Sequence, residues 1–186
     1  MAHKTDQMIL KIAITGPEST GKSLLSQQLA NHYHTVWVPE FARSYIAGLN
    51  RPYEEKDILY IAQQQILEEE HHKFAANRLL FCDTEPIVTK IWSDVKYGRC
   101  HPWITETIKN HPYDLFLLCD IDLPWEYDPL REHPDKRKFL FDLYLNELTS
   151  RQFLFFIIQG YGPERFNNAV KIIDNLQSSL DLNQIK

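Results

Sequence analysis

Five short runs of apolar residues recur along the chain, and longer stretches with helical spacing separate them. Each run is nearly continuous rather than alternating, which is typical of strands in a parallel sheet covered on both faces. The alternation of strands and helices predicts an α/β fold, a three-layer sandwich with a five-stranded parallel sheet and right-handed crossovers. The predicted strands span residues 11–15, 35–39, 79–82, 115–119 and 153–159.

The helical stretches between these runs include residues 22–32 and 54–77. In the second stretch, Ile58 and Ile61 recur near helical spacing and predict a buried face. The charged run at residues 68–73 predicts a solvent-exposed face of the same helix. Because no internal repeat, low-complexity tract or linker divides the pattern, we expect a single domain that covers residues 9–178.

One segment breaks the alternation directly after the fourth predicted strand. Residues 121–138 combine three prolines with a dense mixture of positive and negative side chains, which is typical of an excursion rather than a core element. A long ordered insertion at such a place commonly has a function. We therefore expect a lid insertion after strand four.

Composition and charge exclude several classes of protein. The chain has 186 residues and a net charge of -5, which argues against a broad electrostatic surface for nucleic acid or anionic membrane. The first seven residues lack the apolar core of a signal peptide, and no apolar run approaches the length of a membrane span. We expect a cytoplasmic protein with scattered, reduced cysteines at positions 82, 100 and 119.

The strongest local signal is the sequence GPESTGKS, which matches the P-loop pattern G-x-x-x-x-G-K-[ST] at every fixed position. A strand leads into it and a helix leads out, as this motif requires. Backbone N–H groups and a helix N-terminus would cradle the phosphates of ATP, Lys22 would supply a point charge, and Ser23 would bind Mg²⁺. The predicted nucleotide-binding residues are Gly16, Pro17, Glu18, Ser19, Thr20, Gly21, Lys22, Ser23 and Leu24.

Carboxylates close three of the predicted strands, at the edge where an open α/β sheet binds its ligand. Asp83 follows a hydrophobic run in the manner of a Walker B aspartate and is the preferred second Mg²⁺ ligand, although Asp120 competes for that role. Asp83 and Thr84 are alternatively a helix cap. Glu40 is placed either to orient an acceptor hydroxyl or to deprotonate it as well. Arg43 either binds substrate or pairs with Glu40.

The predicted lid carries four basic residues, at positions 131, 136, 137 and 138. Arg131 and Arg137 are the candidates that would reach the transferring phosphoryl group, because a guanidinium can bridge two phosphate oxygens. The alternative is a solvated basic turn that is balanced by the acidic residues at positions 126, 128, 132 and 135. We expect a P-loop kinase that transfers the γ-phosphoryl group of ATP to a small molecule.

Four motifs in order, GPESTGKS, PEFAR, DTEPIVTKIW and DxPWxxDxxR, resemble the ribosylnicotinamide kinase domain of NadR-type proteins over residues 11–175. The resemblance implies that ATP phosphorylates the 5′-hydroxyl of nicotinamide riboside to give nicotinamide mononucleotide, in the synthesis of NAD. It places Glu40, Arg43, Asp83 and Thr84 near the acceptor and the metal.

The same resemblance implies that Trp92 and Tyr97 line the riboside pocket and that Trp125 belongs to the lid beside the substrate, whereas both tryptophans could equally be core anchors. Two alternatives stay open for the function: a kinase for another nucleoside or vitamin, and a regulatory nucleotide-binding ATPase. Homo-oligomerisation and the choice of ATP over GTP are also left open.

Overall fold

The computed structural model describes residues 9–128 and 131–184. Strands and helices alternate through most of this part of the chain, as the hydrophobic pattern predicts. The strands are β1 (Leu10–Thr15), β2 (Val36–Val38), β3 (Leu79–Asp83), β4 (Leu115–Cys119) and β5 (Phe155–Ile158). The helices are α1 (Lys22–His32), α2 (Phe41–Ala47), α3 (Glu55–Lys73), α4 (Pro86–Tyr97), α5 (Pro102–Asn110), α6 (Arg137–Ser150) and α7 (Pro163–Gln184).

The five strands form one parallel sheet in the order β2-β3-β1-β4-β5. The prediction of a five-stranded parallel sheet is thus confirmed. The observed β2 and β5 are shorter than predicted, because apolar character continues past the residues that pair. In β2 the pairing stops before Pro39, which has no backbone N–H to donate to a neighbouring strand.

Alternate residues of each central strand enter the core on opposite faces of the sheet. Ile12 and Ile14 pack towards α1 and α7, in a cluster that includes Leu25 and Ile173. Ala13 points to the other face, where side chains of α3, α4, α5 and α6 cover the sheet. Both faces of the sheet are therefore buried at its central strands, which explains why those strands read as continuous apolar runs.

The charged run of α3 is not wholly solvent-exposed, contrary to the prediction. Glu69 is 1% exposed, and its carboxylate accepts a hydrogen bond of 2.6 Å from the Tyr113 hydroxyl. Lys11 Nζ lies 2.7 Å from the other carboxylate oxygen and compensates the buried charge. The partner comes from the start of β1, so helical spacing within α3 could not reveal it.

The connection between β4 and α6 (residues 120–136, of which 129–130 lie outside the described part) has no regular structure except a 3₁₀ turn at Pro134–Lys136. Arg137 and Lys138 already belong to α6, so the irregular segment ends two residues before the predicted boundary. At the C-terminus, α7 continues to Gln184, beyond the predicted domain limit at residue 178. No helix in the two described ranges is long and apolar enough to cross a membrane.

Candidate active site

The loop between β1 and α1 turns sharply enough to bring its backbone beside the end of β4. Gly16 has φ +129°, and a Cβ there would lie 2.9 Å from the carbonyl oxygen of Cys119, so a side chain cannot be accommodated. Gly21 is the N-cap of α1 with φ +76°. The two glycines of the motif therefore satisfy backbone requirements of a loop whose N–H groups can face an anion.

This loop forms one wall of a cavity of about 870 Å³, which is large enough for a nucleotide and part of an acceptor. Lys22 Nζ donates a hydrogen bond of 2.7 Å to the carbonyl oxygen of Pro17, within its own loop. A phosphate oxygen would be a stronger acceptor for this ammonium group. All nine predicted nucleotide-binding residues, from Gly16 to Leu24, line the cavity.

Asp83 ends β3, directly beside Ile14 of β1, and is 1% exposed. Neither carboxylate oxygen has a hydrogen-bond partner of good geometry in the described part of the chain. The nearby Ser23 hydroxyl lowers the pKa of the Asp83 carboxyl and so acts against the effect of burial. Burial, followed by the charge of Glu40, raises the pKa of Asp83 to about 6. A buried carboxylate without a partner beside a P-loop serine fits a divalent cation.

Asp120, the competing candidate, already has protein partners. One carboxylate oxygen accepts a hydrogen bond of 2.7 Å from the backbone N–H of Ile121, and the other accepts one of 2.8 Å from Gln159. The carboxylate oxygens of Asp120 thus already accept hydrogen bonds from the protein, whereas those of Asp83 remain available to a metal. The geometry favours Ser23 and Asp83 as the pair that would hold Mg²⁺.

The helix cap expected at Asp83 and Thr84 belongs instead to Glu85. Glu85 Oε2 accepts the backbone N–H of Ile87 at 2.5 Å, and Oε1 accepts the Thr15 hydroxyl at 2.8 Å. Burial raises the pKa of Glu85 to about 8. The cap lies one residue further on because β3 extends through Asp83 and the chain turns only at Thr84.

Thr84 makes that turn with φ +71°, an unfavourable conformation for a β-branched residue. Its backbone N–H donates to the carbonyl oxygen of Ile14 at 3.1 Å, and its side chain lines the cavity. The strained turn at Thr84 thus separates Asp83, at the end of β3, from Glu85, which caps α4.

We expect Thr84→Gly to cost about 2 kcal/mol less stability than Thr89→Gly, because glycine relieves strain at the first position and weakens a helix at the second. The two threonines are matched in burial, at 6% and 7% exposed. Urea unfolding of both variants measures the difference. Equal losses of unfolding free energy would show that the left-handed backbone at Thr84 carries no strain.

Glu40 and Arg43 lie at the start of α2 and both line the cavity. Arg43 Nε is 3.7 Å from the Glu40 carboxylate, as one of the two predicted alternatives requires. Its Nη1 also forms an ion pair of 2.6 Å with Asp128 of the β4–α6 connection. Arg43 therefore joins this connection to the part of the cavity wall that Glu40 forms.

The structure separates the two arginines that were expected to reach phosphate. Arg131 lines the cavity, and its Nη1 donates to Ser19 Oγ at 3.2 Å and to the carbonyl oxygen of Glu126. Arg137 lies outside the cavity lining and donates to the carbonyl oxygens of Leu123 and Ser19. Burial lowers the pKa of Arg137. Arg131 is the better placed of the two.

Trp92 lines the cavity, whereas Tyr97 and Trp125 do not. Tyr97 follows Trp92 by five positions, a step that rotates its side chain by about 140° around α4, so the two cannot share one face of the helix. Tyr97 packs against the hydrophobic cluster on that side of the sheet. The Trp125 ring lies under the Arg131 guanidinium, 5.9 Å away.

Among the residues of the cavity wall that were not predicted from the sequence, three are joined by polar contacts. The Tyr53 hydroxyl accepts a hydrogen bond of 2.8 Å from Trp92 Nε1 and donates one of 2.8 Å to Glu132. Lys96 Nζ lies 3.2 Å from the same Glu132 carboxylate and 3.6 Å from the centre of the Tyr53 ring. These residues come from three separate elements and no local spacing marks them.

A buried arginine outside the motifs supports the P-loop from behind. Arg165, near the start of α7, is 4% exposed, and its guanidinium donates to the carbonyl oxygens of Thr20, Gly160 and Asp120. It also pairs with the Asp122 carboxylate. The sequence signals this supporting role only through an arginine that soon follows the end of a strand. That pattern is too common to identify such a residue.

Comparison with known proteins places the chain among nucleotide-binding domains. A family model described as an AAA domain matches residues 11–165. The chain is 31% identical, over 129 residues, to the trifunctional NAD biosynthesis/regulator protein NadR of Salmonella typhimurium. The resemblance to NadR-type proteins that the four motifs indicated is confirmed by this match. The match covers 64% of the chain and 30% of that protein, so the chain spans less than a third of its curated relative.

Solved structures support the same fold. A crystal structure of a NadR protein in complex with NR superposes with a TM-score of 0.78 and 21% identity, over 90% of this chain and 50% of that one. A crystal structure of a NadR protein in complex with NAD and AMP-PNP gives a TM-score of 0.74 and 20% identity, over 90% and 49%. At these identities the likeness establishes the arrangement of strands and helices.

Proposed function

The chain belongs to the AAA domain family, and from that premise we propose that it is an ATP-dependent kinase that phosphorylates the 5′-hydroxyl of nicotinamide riboside. The observation that carries the proposal is that a single cavity joins the P-loop to a wall built from Glu40, Tyr53 and Trp92. The phosphoryl donor and the acceptor would thus share one cavity, from which closure of the β4–α6 connection can exclude water.

On the donor side, the P-loop N–H groups bind the ATP phosphates and Lys22 supplies positive charge near the group in transfer. Ser23 and Asp83 would hold Mg²⁺, which neutralises charge on the phosphate oxygens when it is bound. Because phosphoryl-transfer transition states are usually loose, the protein contributes mainly position and electrostatic stabilisation.

On the acceptor side, Glu40 faces the cavity near the P-loop and would orient the ribose hydroxyl. The aromatic pair of Tyr53 and Trp92, whose ring centres are 4.9 Å apart, would contact the base. A pyridinium ring carries positive charge and favours an aromatic face, which Trp92 offers, whereas the Glu132 carboxylate already pairs with Lys96. This composition supports nicotinamide riboside over an uncharged nucleoside.

The β4–α6 connection would act as the lid of this kinase. It contacts the P-loop through Arg131 and the acceptor end through the ion pair of Asp128 with Arg43. A lid in this position would exclude water and bring the Arg131 guanidinium to the phosphoryl group as it transfers.

An endpoint assay with ATP, Mg²⁺ and a panel of nucleosides, read by mass spectrometry, tests the proposal. We expect a nicotinamide mononucleotide peak from nicotinamide riboside, and a much smaller yield of phosphorylated product from uridine or adenosine. A second arm with GTP measures the choice of donor. Phosphorylation of a different nucleoside in preference to nicotinamide riboside would refute the proposed acceptor, and release of ADP without any phosphorylated product would refute the proposed kinase activity.

A further inference from the structure

Glu18 belongs to the P-loop, but its side chain binds the β4–α6 connection. One carboxylate oxygen accepts the backbone N–H of Glu132 at 3.2 Å, and the other accepts the backbone N–H of His133 at 3.1 Å. Both N–H groups lie directly before the 3₁₀ turn at Pro134–Lys136. A carboxylate that accepts two consecutive N–H groups satisfies both at once.

The next residue, Ser19, holds the other end of the same segment. Its hydroxyl oxygen accepts the backbone N–H of Glu126 at 2.8 Å and the Arg131 guanidinium at 3.2 Å. Phosphate binding by a P-loop uses backbone N–H groups, so the side chains of Glu18 and Ser19 are available for this second task.

We propose that Glu18 is a positioning residue, a latch that keeps residues 132–133 on the P-loop so that Arg131 stays over the phosphate site. The proposal rests on the proposed function, because it takes ATP to be the ligand of the P-loop. The hydrogen bonds of Arg131 go to two neutral oxygens, Ser19 Oγ and the Glu126 carbonyl, and its Nε lies 3.9 Å from the Asp128 carboxylate. A phosphate oxygen is a stronger acceptor, so Arg131 can exchange these partners while Glu18 retains its own.

The latch has a specific kinetic consequence. Its contacts join protein groups only, so they raise the fraction of molecules whose segment is closed and able to bind ATP. Loss of the latch lowers this fraction and raises the apparent dissociation constant in proportion. Saturating ATP restores the closed state, so the KM for ATP is expected to rise about tenfold while kcat falls much less.

Limited digestion of the full chain by trypsin, without nucleotide, measures closure directly. The peptide bonds after Arg131 and Lys136, which trypsin can cleave, lie in the β4–α6 connection. Mass spectrometry measures the rate at which each of these bonds is cleaved. We expect Glu18→Gln to raise these rates about tenfold, because the isosteric amide cannot accept both N–H groups. Asp135→Asn is the matched control, since Asp135 is exposed and makes no side-chain hydrogen bond or ion pair in the described part of the chain.

The digestion needs neither ATP nor an acceptor, so the latch can be judged even if the proposed reaction fails. Unchanged cleavage in Glu18→Gln, with a melting temperature like that of the wild type, would overturn the proposal. Tighter binding of AMP-PNP by this variant would also overturn it, because Glu18 would then act only by repelling phosphate. Faster cleavage in Glu18→Gln but not in Asp135→Asn, with the rise in KM, would support it.

Discussion

Replacing Lys22 with Ala is expected to lower kcat about a thousandfold while leaving the fold intact. The lysine lies in the wall of the cavity at the start of α1, where its ammonium group would approach the phosphate oxygens. Loss of one preorganised charged donor from a transition state commonly costs a factor of hundreds to thousands, roughly. Steady-state kinetics with the phosphorylated product as the readout measure the loss.

Stability should hardly change in this variant. The hydrogen bond of Lys22 Nζ goes to the carbonyl oxygen of Pro17 in the same loop, so its removal disturbs no contact between distant elements. We expect the free energy of unfolding to change by less than about 1 kcal/mol. Lys109→Ala is the control, because Lys109 lies exposed near the end of α5 and away from the cavity. Turnover retained by Lys22→Ala would overturn the catalytic role of the lysine.

Asp83→Asn is expected to have two opposite effects: a loss of activity of about a hundredfold or more, and a gain in stability of the metal-free protein. The activity falls because an amide binds Mg²⁺ far less well than a carboxylate does. The stability rises because burial of the Asp83 carboxylate without a hydrogen-bond partner in the described residues costs free energy that a neutral amide largely avoids.

The gain in stability depends on pH with a definite sign. The folded protein holds the pKa of Asp83 at about 6, above its ordinary value of 3.8. Above pH 6 the carboxylate is charged in both states, so the wild type carries the whole cost of burial, about 3 kcal/mol. Below the ordinary value the group is neutral in both states and the cost disappears. The advantage of Asp83→Asn should therefore be full at pH 8 and should vanish near pH 4.

Urea unfolding of both proteins at pH 4, 6 and 8, with a chelator present, checks this dependence. Asp142→Asn is the control, because that carboxylate is 53% exposed and pairs only with Lys138 within the described chain. Adding Mg²⁺ with AMP-PNP should raise the melting temperature of the wild type more than that of Asp83→Asn. An advantage that does not depend on pH would contradict the buried-charge explanation.

Much of the fold could be predicted from the sequence because parallel strands between two layers of helices must be apolar on both sides. The observed β1, β3 and β4 agree with the predicted runs to within one residue. The ends of β2 and β5 were less predictable, since apolar residues continue into segments that cover the sheet without pairing. The register of the strands required the structure.

The cavity shows the same division between local and long-range information. Gly16, Lys22 and Ser23 were predicted because a P-loop is defined by residues close together in the chain, each with a backbone or charge requirement. Tyr53, Lys96 and Glu132 were not, since they meet only when a loop, a helix and the β4–α6 connection fold onto one another. The resemblance to NadR-type proteins placed Tyr97 in the cavity with Trp92, but the step of five positions along α4 turns its side chain in a different direction.

The sequence by itself determined the fold class, the P-loop and the carboxylate beside it, because each of these follows from short-range patterns of burial and from one contiguous motif. Only the tertiary structure decided which arginine reaches the cavity, which carboxylate stays unpaired, and that Glu18 holds residues 132–133. Those outcomes depend on contacts between residues about a hundred positions apart. The orientation of such side chains results from packing and hydrogen bonding across the whole domain, for which local propensity carries no information.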